Sequence, residues 1–563
     1  MDRVEIPSTV QAVLAARIDR LAEREKRVLQ TAGVIGKNFA RPLLAQIIEA
    51  HGRAPLAAAD LDGALRLRCD LDFLFERALY PVPEYAFKHP LTHEVAYGSQ
   101  LQERRRAVHA ALARVLEEGH EAPALLAHHW DEAGEIEPAA HWHRQAALEA
   151  GMTDADTAVR HWERACDLLG QLPETRERLC VAAAARAQLL WIETRRGTAP
   201  ERARALFEHA HKLTERAGDL SSLAHTRFAY ANYLLYSGQP GSPEEARQAL
   251  ADAEHAGDVE MQIVACWACT ATSFFGEDIS LAVRQCERGI ALCGEDLDLG
   301  AHVLMYSPWI FFRASGGGAM ALSGRLAEGA ALIEQALAER GRRYYLSQAM
   351  CGGFAVIENR IRGDYRAALA VARRSLESFI ELGGTRGGHV WLLVHLGQAL
   401  ALNGDMDGAR DALGRSLRLT TEIRTFHHML PEIQTWLAHI ALAVGDTDLA
   451  RRELDAGFEH ARRQELVVPL VYAHVVGARL LRMQGAGVEA VERELAEAER
   501  LAGKVSAHAL LPEIHSERAA LFLHDGRVDD ARHQLEHARY LYRAMGAGPN
   551  ADRLTAHIED LAR

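Results

Sequence analysis

A glycine recurs through the C-terminal half of this 563-residue chain at Gly324, Gly363, Gly404, Gly445, Gly485 and Gly526, at intervals of 39, 41, 41, 40 and 41 residues. A small residue follows five places on, an apolar one at nine and a small one at twelve. Gly404, Ala409, Leu413 and Ser416 form one such set; Gly445, Ala450, Leu454 and Gly457 form another. Around Gly485 the set slips by one residue, to Val491, Leu495 and Ala498. A fixed period of this length predicts stacked supersecondary units, each packing mainly on its neighbours. Each glycine is expected to end one helix in a left-handed turn, and the small residues let the next helix approach closely.

The unit resembles a tetratricopeptide repeat, clearest in "LVHLGQALALNGDMDGARDALGRSL" through Leu393, Leu396, Gly397, Leu400, Ala409, Leu413 and Ser416. Its period is longer than the usual 34 residues, like the longer repeats of sensor regions in STAND-type regulators. The signature fades upstream. Gly134 with Ala139 and "GSPEEARQAL" (241–250) look similar, but residues 151–320 do not register cleanly. "ASGGGAM" (314–320) and "LGGTRGG" (382–388) read as inter-helix loops. The expected domains are a helical, winged-helix-like region at 1–120, degenerate helical repeats at 121–320 and regular repeats at 321–563. The fold class is all-α, a winged-helix-like N-terminal region with a small β-hairpin followed by an α-solenoid. The repeats predict a curved stack with a concave face.

Composition agrees with helix: aromatics are 6% and prolines 17. A net charge of −13 argues against a broad nucleic-acid-binding face. Eight cysteines in a chain this long make no disulfide framework. The N-terminus "MDRVEIPSTVQ" lacks a signal-peptide pattern, and the apolar run at 466–478 is too short to span a bilayer. A cytoplasmic protein without a membrane segment is expected.

"TAGVIGKNFA" (31–40) ends a helical pattern in Gly36-Lys37 and superficially suggests a phosphate loop. That loop needs four residues between its glycines, a following Ser or Thr and a preceding strand. Here two residues separate Gly33 and Gly36, Asn38 follows Lys37, and a helix precedes. Gly33 and Gly36 therefore read as helix-end punctuation. "IPSTVQAVLAARIDRL" reads as a helix with Val10, Val13, Leu14, Ile18 and Leu21 on one face; "RALYPV" and "EYAFKH" read as two short strands; Pro90 opens the next helix.

These segments resemble the region after the nucleotide-binding domain in bacterial STAND-type signalling ATPases. The pattern F-x-H-x-L-x-x-E-x-x-Y is carried by Phe87, His89, Leu91, Glu94 and Tyr97. In that family the ATPases are often fused to adenylate or guanylate cyclase, kinase or DNA-binding domains, and a winged-helix histidine touches the nucleotide phosphate. The resemblance makes His89 the nucleotide-proximal candidate; on its own chemistry it caps a strand–helix junction. The family's Walker A and Walker B segments have no counterpart in this sequence, so no enzyme activity and no cofactor is expected of it; ATP or ADP would enter only with a nucleotide-binding domain supplied upstream.

Other constellations have plain structural readings. "CWAC" (Cys266, Cys269), with Cys286 and Cys293, sits in Ala-rich helical sequence where cysteine acts as a small apolar residue. His128, His129, His141 and His143 belong to a chain with 28 histidines, and no metal is assigned to them. Arg104, Arg105 and Arg106 circle a helix without forming a stripe. The densest aromatic stretch, "MYSPWIFFRASGGG", supplies the candidate ligand or partner surface: Tyr306, Trp309 and Arg313, with Tyr344 and Tyr345 from the following repeat. The leading expectation is a non-catalytic regulatory module, derived from a STAND-type regulator, binding a protein partner or small effector on the concave solenoid face. The alternatives are a self-contained repeat scaffold and a fragment of an ATPase- or cyclase-linked regulator. No nucleic acid and no membrane partner is expected.

Overall fold

The computed structural model describes residues 8–51, 58–151, 154–339 and 345–561. Two compact units result: residues 1–149 with 160–173, and residues 150–159 with 174–563.

The first unit begins α1 (Ser8–Asp19), α2 (Glu23–Ile35), β1 (Asn38–Ala40), α3 (Arg41–His51), α4 (Ala58–Asp70), β2 (Leu74–Ala78), β3 (Glu84–Phe87) and α5 (Pro90–Gly98). The strands form one antiparallel sheet in the order β1-β3-β2, with Phe39 opposite Tyr85 and Leu74 opposite Phe87. Helix, strand, two helices and a hairpin in this order are the winged-helix arrangement. Its core joins Ile18, Leu29, Leu44, Leu65, Phe73 and Phe87. α6 (Gln102–Glu118), α7 (Pro123–Ala133) and α8 (Ile136–Ala150) follow; α9 (Ala155–Leu169) adds its Arg160–Leu169 part.

Several local expectations are corrected here. Val10 and Val13 are exposed while Ile18 is buried, so α1 uses only the end of its apolar stripe. The first wing strand starts at Leu74, ahead of "RALYPV", and β1 has only three residues, too short to leave a periodic pattern. Gly36 does end α2, at φ 139°. Gly33 lies inside the helix instead, where a Cβ would stand 3.3 Å from the Tyr97 backbone nitrogen. It is a close-approach glycine between α2 and α5.

The second unit is a stack of nine helical hairpins among the described residues. Its pairs are α10–α11 (Arg176–Arg196, Pro200–Ala217), α12–α13 (Leu220–Ser237, Ser242–Ala256) and α14–α15 (Val259–Thr272, Ile279–Cys293). After a short α16 (Ala301–Leu304) come α17–α18 (Pro308–Ser323, Leu326–Ala338), α19–α20 (Tyr345–Arg362, Tyr365–Glu381) and α21–α22 (Arg386–Leu402, Met406–Ile423). The last pairs are α23–α24 (Leu430–Ala443, Thr447–Arg463), α25–α26 (Val468–Met483, Val488–Lys504) and α27–α28 (Leu511–His524, Val528–Met545), closed by α29 (Gly548–Leu561).

All six signature glycines sit at positive φ between the helices of a pair, as at Gly404 (86°) and Gly445 (83°). The aspartate after the glycine explains the immediate restart: Asp364, Asp405 and Asp446 cap the second helix by accepting from the N–H of Ala367, Gly408 and Leu449. Upstream, Gly197 (83°) and Gly238 (69°) continue the register 41 residues apart. It is lost in sequence because a π-helical turn (Ser273–Glu277) replaces the next glycine turn and α16 is inserted after α15.

"ASGGGAM" is no loop: it lies inside α17. Of "LGGTRGG", only 382–385 lies between helices; Arg386–Gly388 opens α21. A Cβ on Gly317 would stand 2.5 Å from the Gly329 carbonyl oxygen, and one on Gly318 2.8 Å from Phe354. Three glycines that weaken a helix in isolation are held by this contact. Cys266, Cys269 and Cys286 are core residues, as read, and burial pushes their thiols up to about 12, about 12 and about 11.

The stack winds back on itself. The Ile279 N–H donates to the Val505 carbonyl at 2.9 Å, and the Val467 N–H to that of Gly276 at 2.8 Å. His427 meets the Ser237 carbonyl, 190 residues away, at 3.0 Å. The Asn550 amide donates to Ile361, 189 residues away, at 2.8 Å. One superhelical turn therefore takes roughly five repeats, and successive turns touch. The concave face is wrapped into an interior lined by the first helix of each pair.

Candidate functional site

The inner faces of these first helices carry polar and aromatic groups where a plain repeat stack would place aliphatics. α23 and α27 begin with the same four residues, Leu-Pro-Glu-Ile (430–433 and 511–514). Proline suits the first turn, and the glutamate after it faces inward. Glu432 accepts from Gln398 at 2.6 Å, and Gln398 in turn meets His395 at 3.2 Å. Glu513 Oε2 is buried with no hydrogen-bond partner among the described residues. Burial raises the pKa of both carboxyls, against the pull of the Arg360 guanidinium.

Arg360 leans toward Trp436, 5.8 Å from its ring centre, and its Nε has no partner among the described residues. Arg479 is fully engaged: it pairs with Glu517, and its other side meets His439 Nδ1 at 3.0 Å. The Tyr472 hydroxyl shares that nitrogen at 2.9 Å. Burial holds His439 neutral, down to about 3. This is an acid-rich region with cations set between carboxylates.

Elsewhere in the same interior the character reverses. Arg195, in the last turn of α10, stacks on Trp191 at 3.3 Å and lies 5.1 Å from the Tyr236 ring centre. Tyr306 packs on Trp191 (6.4 Å) and Trp267 (5.8 Å). His428 touches Tyr236 and Phe275, and Phe275 meets Trp391, whose ring lies 4.2 Å from His395. Aromatic contacts thus connect the donor-rich region to the acid-rich one. His428 and His395 are both held neutral by burial, down to about 3.

The sequence-derived candidates divide. Tyr306 is part of this interior. Trp309 and Arg313 meet each other, with the guanidinium 3.6 Å from the ring centre, but Arg313 is tied to Gln335 of α18 at 3.2 Å. No ring contact links that pair to Tyr306 among the described residues. Tyr344 and the Tyr345 side chain lie outside the described residues. His89 is exposed at the start of α5 and makes no side-chain cap bond. Its neighbour His93 makes the contact to the glycine segment, with Nε2 2.9 Å from the Gly33 carbonyl. Tyr97 joins His109 at 3.1 Å and Glu132 at 3.2 Å, and Phe87 is wholly buried.

Sequence reasoning missed Arg195, Tyr236, His428, Arg360, Glu432 and Glu513. The repeated Leu-Pro-Glu-Ile was a usable signal for the two glutamates. Arg195 and Tyr236 lie where the repeat register was lost. Among the described residues no group of three or more His, Cys, Asp or Glu is arranged to hold a metal ion, and no helix is long and apolar enough to cross a membrane.

No protein-family model matches this chain. No curated protein matches it either. Solved structures do. A Rap protein complexed with competence and sporulation factor is similar at 12% identity and TM-score 0.44, covering 73% of this chain and 99% of its own. The human IFIT1 dimer with m7Gppp-AAAA is similar at 13% and 0.40, covering 75% and 90%. Yeast Tom70 is similar at 14% and 0.30, covering 82% and 96%.

Proposed function

We propose that the chain is a non-catalytic binding scaffold whose wound repeats hold a protein segment or small effector in their interior. The observation that carries this reading is the interior itself: Arg360, Glu513 and His395 each present a buried polar atom with no partner among the described residues. A stack evolved only for stability gains nothing from such groups, because an unsatisfied buried polar atom costs about 1–3 kcal/mol. A bound partner would satisfy them. The finer reading is that the scaffold is the sensor part of a cytoplasmic STAND-type regulator, switched by an effector in the repeats and working with a separate nucleotide-binding domain. The helix–strand order of the first unit and the pattern from Phe87 to Tyr97 support it.

The test uses affinity capture of the full chain from its own cells, with partners quantified by mass spectrometry. Glu513→Lys should abolish retention of a partner that the surface variant Arg493→Glu still retains. ATP hydrolysis by the purified chain, or equal retention by both variants, would sink the reading.

A further inference from the structure

We propose that the donor-rich part of the interior is a site for an organic carboxylate, with Arg195 as its counter-ion and Tyr236 and Tyr306 as its walls. The inference deepens the effector reading above and rests on it.

Arg195 carries a charge that its surroundings leave unbalanced. Several enclosed arginines of this unit meet carboxylates, Arg479 with Glu517, Arg518 with Glu492 and Glu499, Arg227 with Glu245 and Asp252, whereas Arg186 and Arg313 bond to His209 and Gln335. Among the described residues Arg195 forms no ion pair; it hydrogen-bonds the Tyr306 hydroxyl and makes a long 3.4 Å contact to the carbonyl of Trp191 in its own helix. A partly enclosed cation without a counter-charge is left uncompensated on that side. Stacking on Trp191 covers one face of the guanidinium, and the in-plane N–H edge is the part that recognises a carboxylate.

Unpaired indole donors lie beside Arg195. Trp191 Nε1 and Trp267 Nε1 are buried with no acceptor among the described residues. Trp191 itself is fully buried. His428 is 3% exposed, and its Nδ1, a donor or an acceptor according to tautomer, has no partner among the described residues. Burial holds the phenols of Tyr236 and Tyr306 protonated against the pull of Arg195, so both remain able to donate. An indole N–H can only donate, and no acceptor among the described residues meets those of Trp191 and Trp267. Arg195, Tyr236 and Tyr306 all keep part of their surface accessible, as residues facing a fillable space must.

The charge count selects the ligand class. One guanidinium among neutral donors balances a monoanion; a phosphate dianion would leave a charge uncompensated in a low-dielectric interior. Aromatic walls on several sides favour a ligand whose carboxylate sits on an apolar or aromatic body.

The probe is 3-phenylpropionate, titrated into the full chain by calorimetry and followed by tryptophan fluorescence, with 3-phenylpropionamide and phenyl phosphate alongside. The acid should bind saturably and quench fluorescence, and the amide should bind at least about tenfold more weakly. Arg195→Gln should lose about tenfold in affinity for the acid, with Arg195→Lys intermediate. If Arg195→Gln fails to fold by circular dichroism, Arg195→Lys and the acid–amide comparison decide. The proposal is overturned if the acid does not bind saturably, if the amide binds as well, or if the arginine variants bind the acid unchanged. Tighter binding of phenyl phosphate would overturn the carboxylate assignment. Failure on any of these counts, with partner capture still abolished by Glu513→Lys, would remove this site and leave the scaffold reading standing.

Discussion

Gly404 and Gly317 show how one residue type serves two ends in this chain. Gly404 sits at φ 86° with open space around it, so alanine there meets only backbone strain. Gly404→Ala is expected to cost about 1–2 kcal/mol in urea unfolding of the second unit. Gly317 has helical neighbours on both sides and a carbonyl oxygen where a Cβ would go. Gly317→Ala should cost about 3 kcal/mol, since backbone cannot move aside as a side chain can. The first glycine was legible in the sequence through its period. The second was read as part of a loop, because three consecutive glycines carry no local sign that a facing helix has claimed their missing side chains. Arg195 was illegible for a related reason: a terminal-turn arginine looks like ordinary dipole compensation until its neighbours are known.

Helix pairs of the first unit are joined by histidines. His109 on α6 and His129 on α7 meet through their Nδ1 atoms at 3.0 Å, and His143 on α8 meets His161 on α9 at 2.8 Å. Burial holds His109 down to about 4 and His129 down to about 3. The unfolded chain takes up these protons near pH 6.5 and the folded one does not, so the stability contributed by neutral imidazole is full above pH 6.5 and is lost as pH falls toward about 4. Thermal melting of the first unit should therefore drop between pH 7 and pH 4.5, and His129→Gln should flatten that slope. In the second unit, α29 is tied to the α19–α20 turn by Asn550 to Ile361, by Tyr365 to Asn550 at 3.1 Å and by Arg553 to the Gly363 carbonyl at 2.9 Å. Asn550→Ala should cost about 1–3 kcal/mol and raise hydrogen exchange at residues 361–365, far away in sequence. Hairpin order and helix type were legible from periodicity and turn chemistry. This strap was not, because nothing local marks an asparagine whose partner lies in another turn of the superhelix.

The whole second unit departs from a linear array. In an ordinary solenoid each repeat senses only its neighbours, and unfolding can proceed from an end. Here the backbone bonds of Ile279 to Val505 and Val467 to Gly276 fasten one superhelical turn to the next. Urea unfolding followed by Trp191 near the start of the unit and Trp436 in its later part should give coincident midpoints; separate transitions would show that the turns are independent. The curved stack was legible from a 40-residue period, but its pitch was not, since winding depends on small rotations at every interface. The same fastening sets an order of events during synthesis. Ser237 leaves the ribosome 190 residues before His427, its partner. At about 5–20 residues per second the inner faces of the first repeats wait roughly 10–40 seconds for their lateral neighbours. For that interval Trp191, Tyr236 and Trp267 are exposed on a nascent chain, which makes the early repeats natural clients of a chaperone until the second turn arrives to cover them.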